Sequence, residues 1–214
     1  MEYTKFPKIP HLPWSESIDE DDILADLSFL KTCNHIVVTE KLDGENTTMY
    51  KDLIHARSVD SRNHISRDWV KALWGKIRYM LSDSLRLCGE NVYATHSIHY
   101  DSLESYFYLF MVFFIDHCLS WRMTKEWAEA LSLEVVPVLY EGPWDEEKIR
   151  ACFTGISKFG PNQEGYVVRN ADSFLMDDFQ QNVAKFVRKN HVQTDEHWMN
   201  KKVVPNGIIL DTTK

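Results

Sequence analysis

The residues best suited to covalent chemistry lie around Lys41, in the stretch EKLDGE at residues 40–45. A lysine amine is a nucleophile only when it is neutral, and with a reference pKa of about 10.4 only about one molecule in a few thousand is neutral at pH 7. Nearby cations, a bound metal or burial would depress that pKa. The glycine turn that follows lets a ligand approach the backbone closely. On its own, the tetrad Lys-x-Asp-Gly favours a plain turn with a salt-bridged lysine, so its meaning depends on the rest of the chain.

Acids, cations and an aromatic residue return at long intervals after this lysine, in an order that suits a nucleotide pocket. Phosphoryl-type transfer asks a protein mainly for positioning and charge stabilisation, so cations and a metal around one phosphate are what it needs. Carboxylates suit Mg²⁺, which prefers oxygen ligands. Taken singly, Arg57 would fit an ordinary surface position, Phe110 would fit the core, and Glu90 would fit a turn. The candidates are Arg57, Glu90 after Gly89, Phe110, Glu164 in the run EGYVVR at 164–169, and Lys185.

This ordered set resembles the motifs of the covalent nucleotidyltransferases, the superfamily of ATP-dependent DNA and RNA ligases and mRNA capping enzymes. Within it, the chain looks most like the RNA-repair ligases of the phage and trypanosome-editing type. The run EKLDGEN at 40–46 is similar to the nucleotidyl-lysine motif of that family, including its preceding acid and trailing asparagine. The resemblance extends from about residue 36 to about residue 190, which is most of the chain.

The resemblance implies an ATP-dependent RNA ligase that uses Mg²⁺ or Mn²⁺ and acts in three steps. Lys41 attacks the α-phosphorus of ATP, expels pyrophosphate and becomes lysyl-AMP. AMP then passes to the 5′-phosphate of one RNA end, and the 3′-hydroxyl of another end displaces AMP and seals the strand. Glu40 and Asn46, as parts of the lysine motif, would bind the nucleotide.

The same resemblance implies a role for each later residue. Arg57 would contact phosphate, and Glu90 would hold the ribose. Phe110 would stack on the adenine. Glu164 would support the metal and orient the lysine, and Lys185 would contact the α-phosphate and help to neutralise it in the transition state.

Two features depart from the family pattern. The family usually offers a second cation two residues after the last lysine, but Val187 stands there. Arg188 and Lys189 are the possible substitutes, and strand alternation puts one of them on the wrong face. Only residues 191–214 remain after this motif, so we expect a single nucleotidyltransferase domain over residues 1–214 with no separate C-terminal domain. Besides the RNA ends, a repair kinase or accessory protein is then an expected partner.

Three other functions stay open at this point. Two are enzymatic: a DNA nick ligase and a GTP-using capping-type nucleotidyltransferase, because the base pocket cannot be read from sequence. The third is a non-catalytic module that binds nucleic-acid ends, which the missing cation and the missing appended domain motivate. The joint presence of Lys41, Glu90, Glu164 and Lys185 opposes it.

Composition limits the class of protein further. The 214 residues are enough for one ordered domain, and the net charge of −8 opposes bulk coating of nucleic acid but allows a local basic groove. Four cysteines without C-x-x-C spacing, and no apolar N-terminal segment, favour a cytoplasmic protein without a disulfide framework. No apolar run is long enough to cross a bilayer, so no membrane partner is expected.

Four histidines were candidates for a metal site. His96 and His99 lie three apart, and His191 and His197 lie near the end of the chain. Neither pair has cysteines or carboxylates at ligand spacing, so polar or surface roles are expected for all four.

The elements that must position the candidate residues form an α+β pattern. Three prolines predict an extended arm over residues 7–13. Apolar alternation predicts strands over 35–41 and 46–50, joined by a tight turn at Asp43-Gly44. Helices and strands do not alternate regularly, so we expect mostly antiparallel sheets that enclose a nucleotide pocket. Further strands are predicted over 53–58, 91–95, 106–115, 135–140, 166–169 and 183–187, and helices over 66–81 with Ser66 as N-cap, 124–131 with Thr124 as N-cap, and 144–152.

Overall fold

The computed structural model describes residues 2–189 and 202–209, so His191 and His197 lie outside the described residues. The strands are β1 (Ile36–Lys41), β2 (Glu45–Met49), β3 (Ile54–His55), β4 (Leu85–Asn91), β5 (Phe107–Phe114), β6 (His117–Cys118), β7 (Glu134–Val135), β8 (Val138–Gly142), β9 (Gly165–Asn170), β10 (Phe174–Leu175) and β11 (Val183–Val187). The α-helices are α1 (Asp68–Ile77), α2 (Trp121–Ala130), α3 (Glu146–Ala151) and α4 (Phe179–Asn182).

Two β-sheets form the framework. The smaller sheet has the strand order β11-β9-β1-β8 and is antiparallel throughout. The larger sheet has the order β10-β6-β5-β4-β2-β3, also antiparallel, and β7 pairs with β5 in parallel. Val37 of the smaller sheet and Tyr108 of the larger sheet belong to one buried apolar cluster, so the sheets pack against each other. The prediction of an α+β fold with mostly antiparallel sheets is confirmed.

The turn at Asp43-Gly44 does not close a hairpin, and that prediction is wrong. β1 belongs to the smaller sheet and β2 to the larger one, so the turn crosses between sheets. A Cβ atom on Gly44 would lie 2.5 Å from the carbonyl oxygen of Asn91, so the crossing passes too close to β4 for any side chain. Local periodicity does not tell which sheet a strand joins. The consequence is that Lys41 stands at the seam where the two sheets meet.

Three strand predictions are corrected by the structure. The strand expected over 91–95 is β4, which ends at Asn91; all but one of its residues are buried, so it lacks the alternation that would have marked it. The strand expected over 135–140 breaks at Pro137 into β7 and β8, which lie in different sheets. The strand expected over 53–58 is only the short β3.

The helices occur where they were predicted, with different caps. The predicted helix over 66–81 is α1 flanked by 3-10 turns, and the ring of His64, not Ser66, accepts the first capping hydrogen bond. α2 begins at Trp121 because Ser120 Oγ accepts from the Met123 amide, so Thr124 is not the cap. No helix within residues 2–189 and 202–209 has the length and apolarity to span a membrane.

The N-terminal arm, residues 2–17, connects the two sheets. At one end, the Thr4 amide donates to Tyr50 Oη, just after β2, at 3.0 Å. At the other end, the Lys185 amide donates to the Pro10 carbonyl at 2.9 Å, and the Leu12 amide donates to the Lys185 carbonyl at 2.7 Å. The arm therefore pairs with the edge of β11 and closes one side of the space between the sheets.

Candidate functional site

A cavity of about 640 Å³ opens between the two sheets, a size typical of small-molecule sites. Both sheets, the arm and the segment after β3 contribute to its walls. Seven of the eight residues predicted from the sequence line it, and the eighth, Glu164, joins them by contacting Lys41. The seven are Glu40, Lys41, Asn46, Arg57, Glu90, Phe110 and Lys185.

Strand pairing places Glu164 against Lys41. Lys41 ends β1 opposite Gly165 of β9, and Glu164 immediately precedes Gly165. The Lys41 Nζ atom lies 2.7 Å from Oε1 and 2.8 Å from Oε2 of Glu164. The glutamate side chain is 5% exposed and the lysine side chain 28%, so the carboxylate is fixed inside the protein while the amine reaches the cavity.

The surroundings of Lys41 raise its pKa. Burial by itself would lower that pKa, but the carboxylates of Glu164, Glu90 and Asp43 outweigh it. Burial thus acts in the direction that favours a neutral amine, but folding also gathers acids around the amine, and their effect on the pKa is larger. A neutral, nucleophilic amine requires that these carboxylates be neutralised.

Two of those acids have unusual protonation. Burial raises the pKa of Glu90 to about 8, with further like-charge repulsion from Glu164, Asp43 and Glu45 and opposition from Lys41. Burial likewise raises the pKa of Glu164 to about 7, against the attraction of Lys41. Two crowded carboxylates fit a divalent cation, which would replace their protons.

A cation there would need ligands from the substrate as well. Within residues 2–189 and 202–209, no three or more His, Cys, Asp or Glu side chains form a group that could hold a metal. Mg²⁺ is commonly held by one or two carboxylates together with substrate phosphates and water. The donor set of Glu90 and Glu164 therefore fits Mg²⁺ or Mn²⁺ in the presence of a phosphate ligand.

Cations for a phosphate come from Lys185 and Arg57. Burial, followed by the charges of Lys41 and Arg57, lowers the pKa of Lys185 to about 8. Neither Arg188 nor Lys189 is among the described residues that line the cavity. The amide of Arg188 donates to the carbonyl of Glu164 at 3.0 Å, and Val187 is buried, so the place of the expected second cation is apolar.

The apolar lining of the cavity suits a flat ring. Phe110 of β5 and Val167 of β9 come from the two different sheets and both line the cavity. Phe6 of the arm meets Phe110 edge to face, with ring centroids 5.4 Å apart. The arm thus fixes the ring of the predicted stacking residue, a role for Phe6 that the prolines of the arm alone did not indicate.

Among the described residues, two acceptor atoms in the cavity walls lack hydrogen-bond partners. Glu40 accepts from the Lys158 amide through Oε2 at 3.1 Å, and burial raises its pKa. Within the described part of the chain, Oε1 of Glu40 and Oδ1 of Asn46 are buried without a hydrogen-bond partner. Buried polar atoms are usually paired, so these two fit a ligand that supplies donors, as a nucleotide does.

Sequence reasoning did not assign Arg67, which lines the cavity together with Glu45. Arg67 Nε lies 2.6 Å from Oε2 of Glu45, and Nη2 lies 2.5 Å from Oε1, with both side chains about nine-tenths buried. Arg67 Nη1 also donates to the Arg62 carbonyl. This pair fastens the segment 57–67, which carries Arg57, to the start of β2. Nothing in the sequence links residues 22 positions apart.

We expect either Glu45→Gln or Arg67→Met to lower the free energy of unfolding by about 3–5 kcal/mol, since each leaves a buried charge without its partner. The double variant should be less destabilised than the sum, with a coupling energy of about 0.5–3 kcal/mol. Urea unfolding measures both quantities. The exposed pair Arg122–Glu126 on α2 is the control, and its removal should leave stability nearly unchanged. Additive effects at Glu45 and Arg67 would show that the pair is not coupled.

Comparisons with known proteins identify a matching family and solved structures with a similar fold. A family model described as RNA ligase matches residues 34–187. Among solved structures, a Naegleria gruberi RNA ligase with PPi has a TM-score of 0.56 and 20% identity, covering 90% of this chain and 63% of that one. A mutant of that ligase with ATP and Mn gives a TM-score of 0.54 and 18% identity, over 90% and 63%.

An Aquifex aeolicus protein, described provisionally as an ATP-dependent DNA ligase, gives a TM-score of 0.53 and 19% identity, over 86% of this chain and 50% of that one. No curated protein matches the sequence. The chain spans less than two thirds of the length of these solved structures. At such identities the likeness concerns the fold, and it confirms a fold of the ligase nucleotidyltransferase type.

Proposed function

The chain belongs to the RNA ligase family, and on that premise we propose that it is an ATP-dependent RNA ligase that forms lysyl-AMP on Lys41. One observation carries the proposal: the Lys41 amine lies 2.7 Å from Glu164 in a cavity that Glu90, Arg57 and Lys185 also line. A turn with a merely structural salt bridge needs neither the cavity nor the further cations.

In the first step, the Lys41 amine forms a bond to the α-phosphorus of ATP, and the bond to pyrophosphate breaks. Lys185 and Arg57 stabilise the negative charge on the phosphates. Glu90 and Glu164 would hold a divalent cation. The cation would neutralise the charge of these carboxylates and so favour the neutral form of the Lys41 amine. Glu164 also fixes the direction of the amine, since both its oxygens contact Nζ.

The apolar and polar walls suit a purine base, and in this proposal the base is adenine. Phe110 and Val167 offer faces for a purine ring, with the base between the sheets. The unpartnered Oε1 of Glu40 would accept a hydrogen bond from an amine of a purine base, such as the exocyclic amine of adenine. Asn46 Oδ1 would accept from a hydroxyl or amine of the same ligand.

The acceptor in this proposal is an RNA end with a 5′-phosphate, to be joined to a 3′-hydroxyl. RNA is recognised mainly by A-form shape and 2′-hydroxyls, so all-DNA nicks should be sealed poorly. Residues 1–214 would act as one nucleotidyltransferase domain, in the cytoplasm, and a kinase that supplies 5′-phosphate ends is the expected upstream activity.

The test is incubation with Mg²⁺ and ATP radiolabelled on the α-phosphate, followed by denaturing electrophoresis. We expect a labelled band that unlabelled ATP suppresses at least tenfold better than GTP. Preferential competition by GTP would instead favour a capping-type enzyme. Equal sealing of RNA and all-DNA nicks would favour a DNA ligase. No band, in folded protein that does not already carry AMP, would favour a binding module.

A further inference from the structure

We propose that His96 binds a phosphate group of the substrate from a loop, residues 95–99, that is built onto the Lys41 turn. This inference rests on the ligase function proposed above and adds a phosphate-binding residue to its site. From the sequence, His96 was considered only as a metal ligand, and a polar or surface role was expected for it.

His96 lies in the wall of the cavity that holds the Lys41 amine. It is half-buried and lines that cavity with Gly44, Arg57 and Glu90. His99, on the same loop, has a side chain 47% exposed and is not among the described residues that line the cavity. The loop therefore presents one of its two imidazoles to the site and the other to solvent.

The loop is fastened to the nucleophile turn by Asp43. Oδ2 of Asp43 accepts from the amides of Ser97 and Ile98, each at 2.7 Å. The Asp43 amide donates in turn to the hydroxyl of Tyr100 at 2.8 Å. Asp43 is two residues from Lys41, so the nucleophile and His96 are held by one rigid unit.

The loop is fastened from its other side by Asn206. This side chain is 3% exposed, and its Oδ1 accepts from Thr95 Oγ1 at 2.9 Å and from the Tyr100 amide at 3.0 Å. Its Nδ2 donates to the carbonyl of Val92 at 2.8 Å. The buried Asn206 amide thus holds one residue of the loop, Thr95, and one residue on either side of it, Val92 and Tyr100. The position of His96 is therefore fixed before a ligand binds, and such preorganisation favours binding.

Phosphate is the chemical group that suits this place. An imidazole offers an N–H donor in either protonation state, and such bonds to an anionic oxygen are strong. Lys41 and Arg57 line the same cavity and already favour anionic ligands there. The phosphate could belong to the triphosphate of ATP or to the 5′ end of the RNA, and the experiment separates the two.

The binding test uses Lys41→Ala protein, which cannot become adenylylated. Dissociation constants are measured for ATP with Mg²⁺, for a 5′-phosphate RNA and for the same RNA with a 5′-hydroxyl, with and without His96→Ala. We expect the added His96→Ala change to raise the dissociation constant of either ATP or the 5′-phosphate RNA by about tenfold or more. The dissociation constant of the 5′-hydroxyl RNA should stay unchanged. His99→Ala, the matched control, should change none of them.

Rate measurements on protein that keeps Lys41 show which phosphate His96 binds. If His96→Ala slows only labelling by ATP, the partner is the triphosphate; if it slows only AMP transfer to RNA, the partner is the 5′-phosphate. His96→Gln, which keeps a donor, should recover part of the loss. Equal binding and equal rates in wild type and His96→Ala would overturn the proposal. Failure of the wild type to label would instead defeat the proposed ligase function, while the binding arm would still decide on His96.

Asn206 is a positioning residue in this scheme. Asn206→Ala should weaken the same phosphate ligand as His96→Ala, and the two changes together should cost no more than His96→Ala alone. Additive losses would mean that Asn206 acts on general stability instead, and urea unfolding of each variant reports that directly.

Discussion

Replacing Lys41 with alanine is expected to abolish covalent labelling by ATP, whereas replacing Lys185 should slow labelling without abolishing it. The contrast matters because both lysines line the cavity, and their pKa values alone would favour Lys185 as the nucleophile. The pKa of Lys185 is lowered to about 8, chiefly by burial, while neighbouring acids raise that of Lys41. By protonation alone, Lys185 would be the better nucleophile.

Geometry favours Lys41 in spite of this. Its amine is oriented by both oxygens of Glu164, at 2.7 and 2.8 Å, and it stands at the seam of the two sheets beside the glycine crossing. Orientation of a nucleophile contributes more than a few units of pKa, since effective molarities of about 10⁵–10⁸ M are reached in well-aligned reactions. Burial lowers the pKa of Lys185 most, and the charges of Lys41 and Arg57 lower it further, so Lys185 lies near other cations, as a phosphate-binding lysine would.

The labelling experiment discriminates between these views with four variants. Lys41→Ala should give no band, a loss of the order of the 10⁶-fold seen when other catalytic nucleophiles are removed. Lys41→Arg should also give none, because the guanidinium keeps the charge but cannot deprotonate. Lys185→Ala should retain a weak band, and Lys148→Ala, an exposed lysine of α3, should label normally. Label that persists in Lys41→Ala and disappears in Lys185→Ala would move the nucleophile to Lys185.

Much of this site could be predicted because its parts follow one another along the chain in a recognisable order. Lys41, Glu90, Phe110 and Lys185 were located by that order and its resemblance to a family pattern, and the sheets bring them into one cavity. The strands β9 and β11 were predicted nearly at their observed ends, since their apolar residues are contiguous.

What could not be predicted depends on long-range packing. The hairpin at Asp43-Gly44 failed because the choice between two sheets is made by contacts with β4 and β9, far along the chain. The ion pair Glu45–Arg67 and the contact Phe6–Phe110 join residues that no local pattern relates. Two of the acids that raise the pKa of Lys41, Glu164 and Glu90, also come from distant parts of the chain, so no local pattern indicates their effect.

Glu164→Gln is expected to reduce the rate of labelling by about 10²–10³-fold, the usual cost of removing one preorganised electrostatic group. Two effects oppose each other here. Loss of the carboxylate removes the largest of the charges that raise the pKa of Lys41, which by itself would increase the fraction of neutral amine. It also removes the group that directs the amine and one of two acids available to a divalent cation. We expect the loss of orientation and metal binding to dominate, because a neutral Lys41 amine that is not directed at the phosphorus does not react.

The pH dependence separates these effects. Below their pKa values of about 7 and about 8, Glu164 and Glu90 hold protons that a divalent cation must displace. The Mg²⁺ concentration that gives half-maximal labelling should therefore fall as pH rises from 6 to 8 in the wild type and level off above that. Above pH 8 the rate should decline, since Lys185, with a pKa of about 8, loses the charge that binds phosphate.

In Glu164→Gln, the half-saturating Mg²⁺ concentration should rise at least tenfold, and its dependence on pH should become shallower because only Glu90 still titrates. Paramagnetic resonance of free Mn²⁺ in the presence of ATP measures the binding without relying on turnover. Glu129→Gln, an exposed acid on α2, is the control and should alter neither quantity. A normal metal dependence with a slowed rate would restrict Glu164 to orienting Lys41. A normal rate would mean that the 2.7 Å contact between them is only structural.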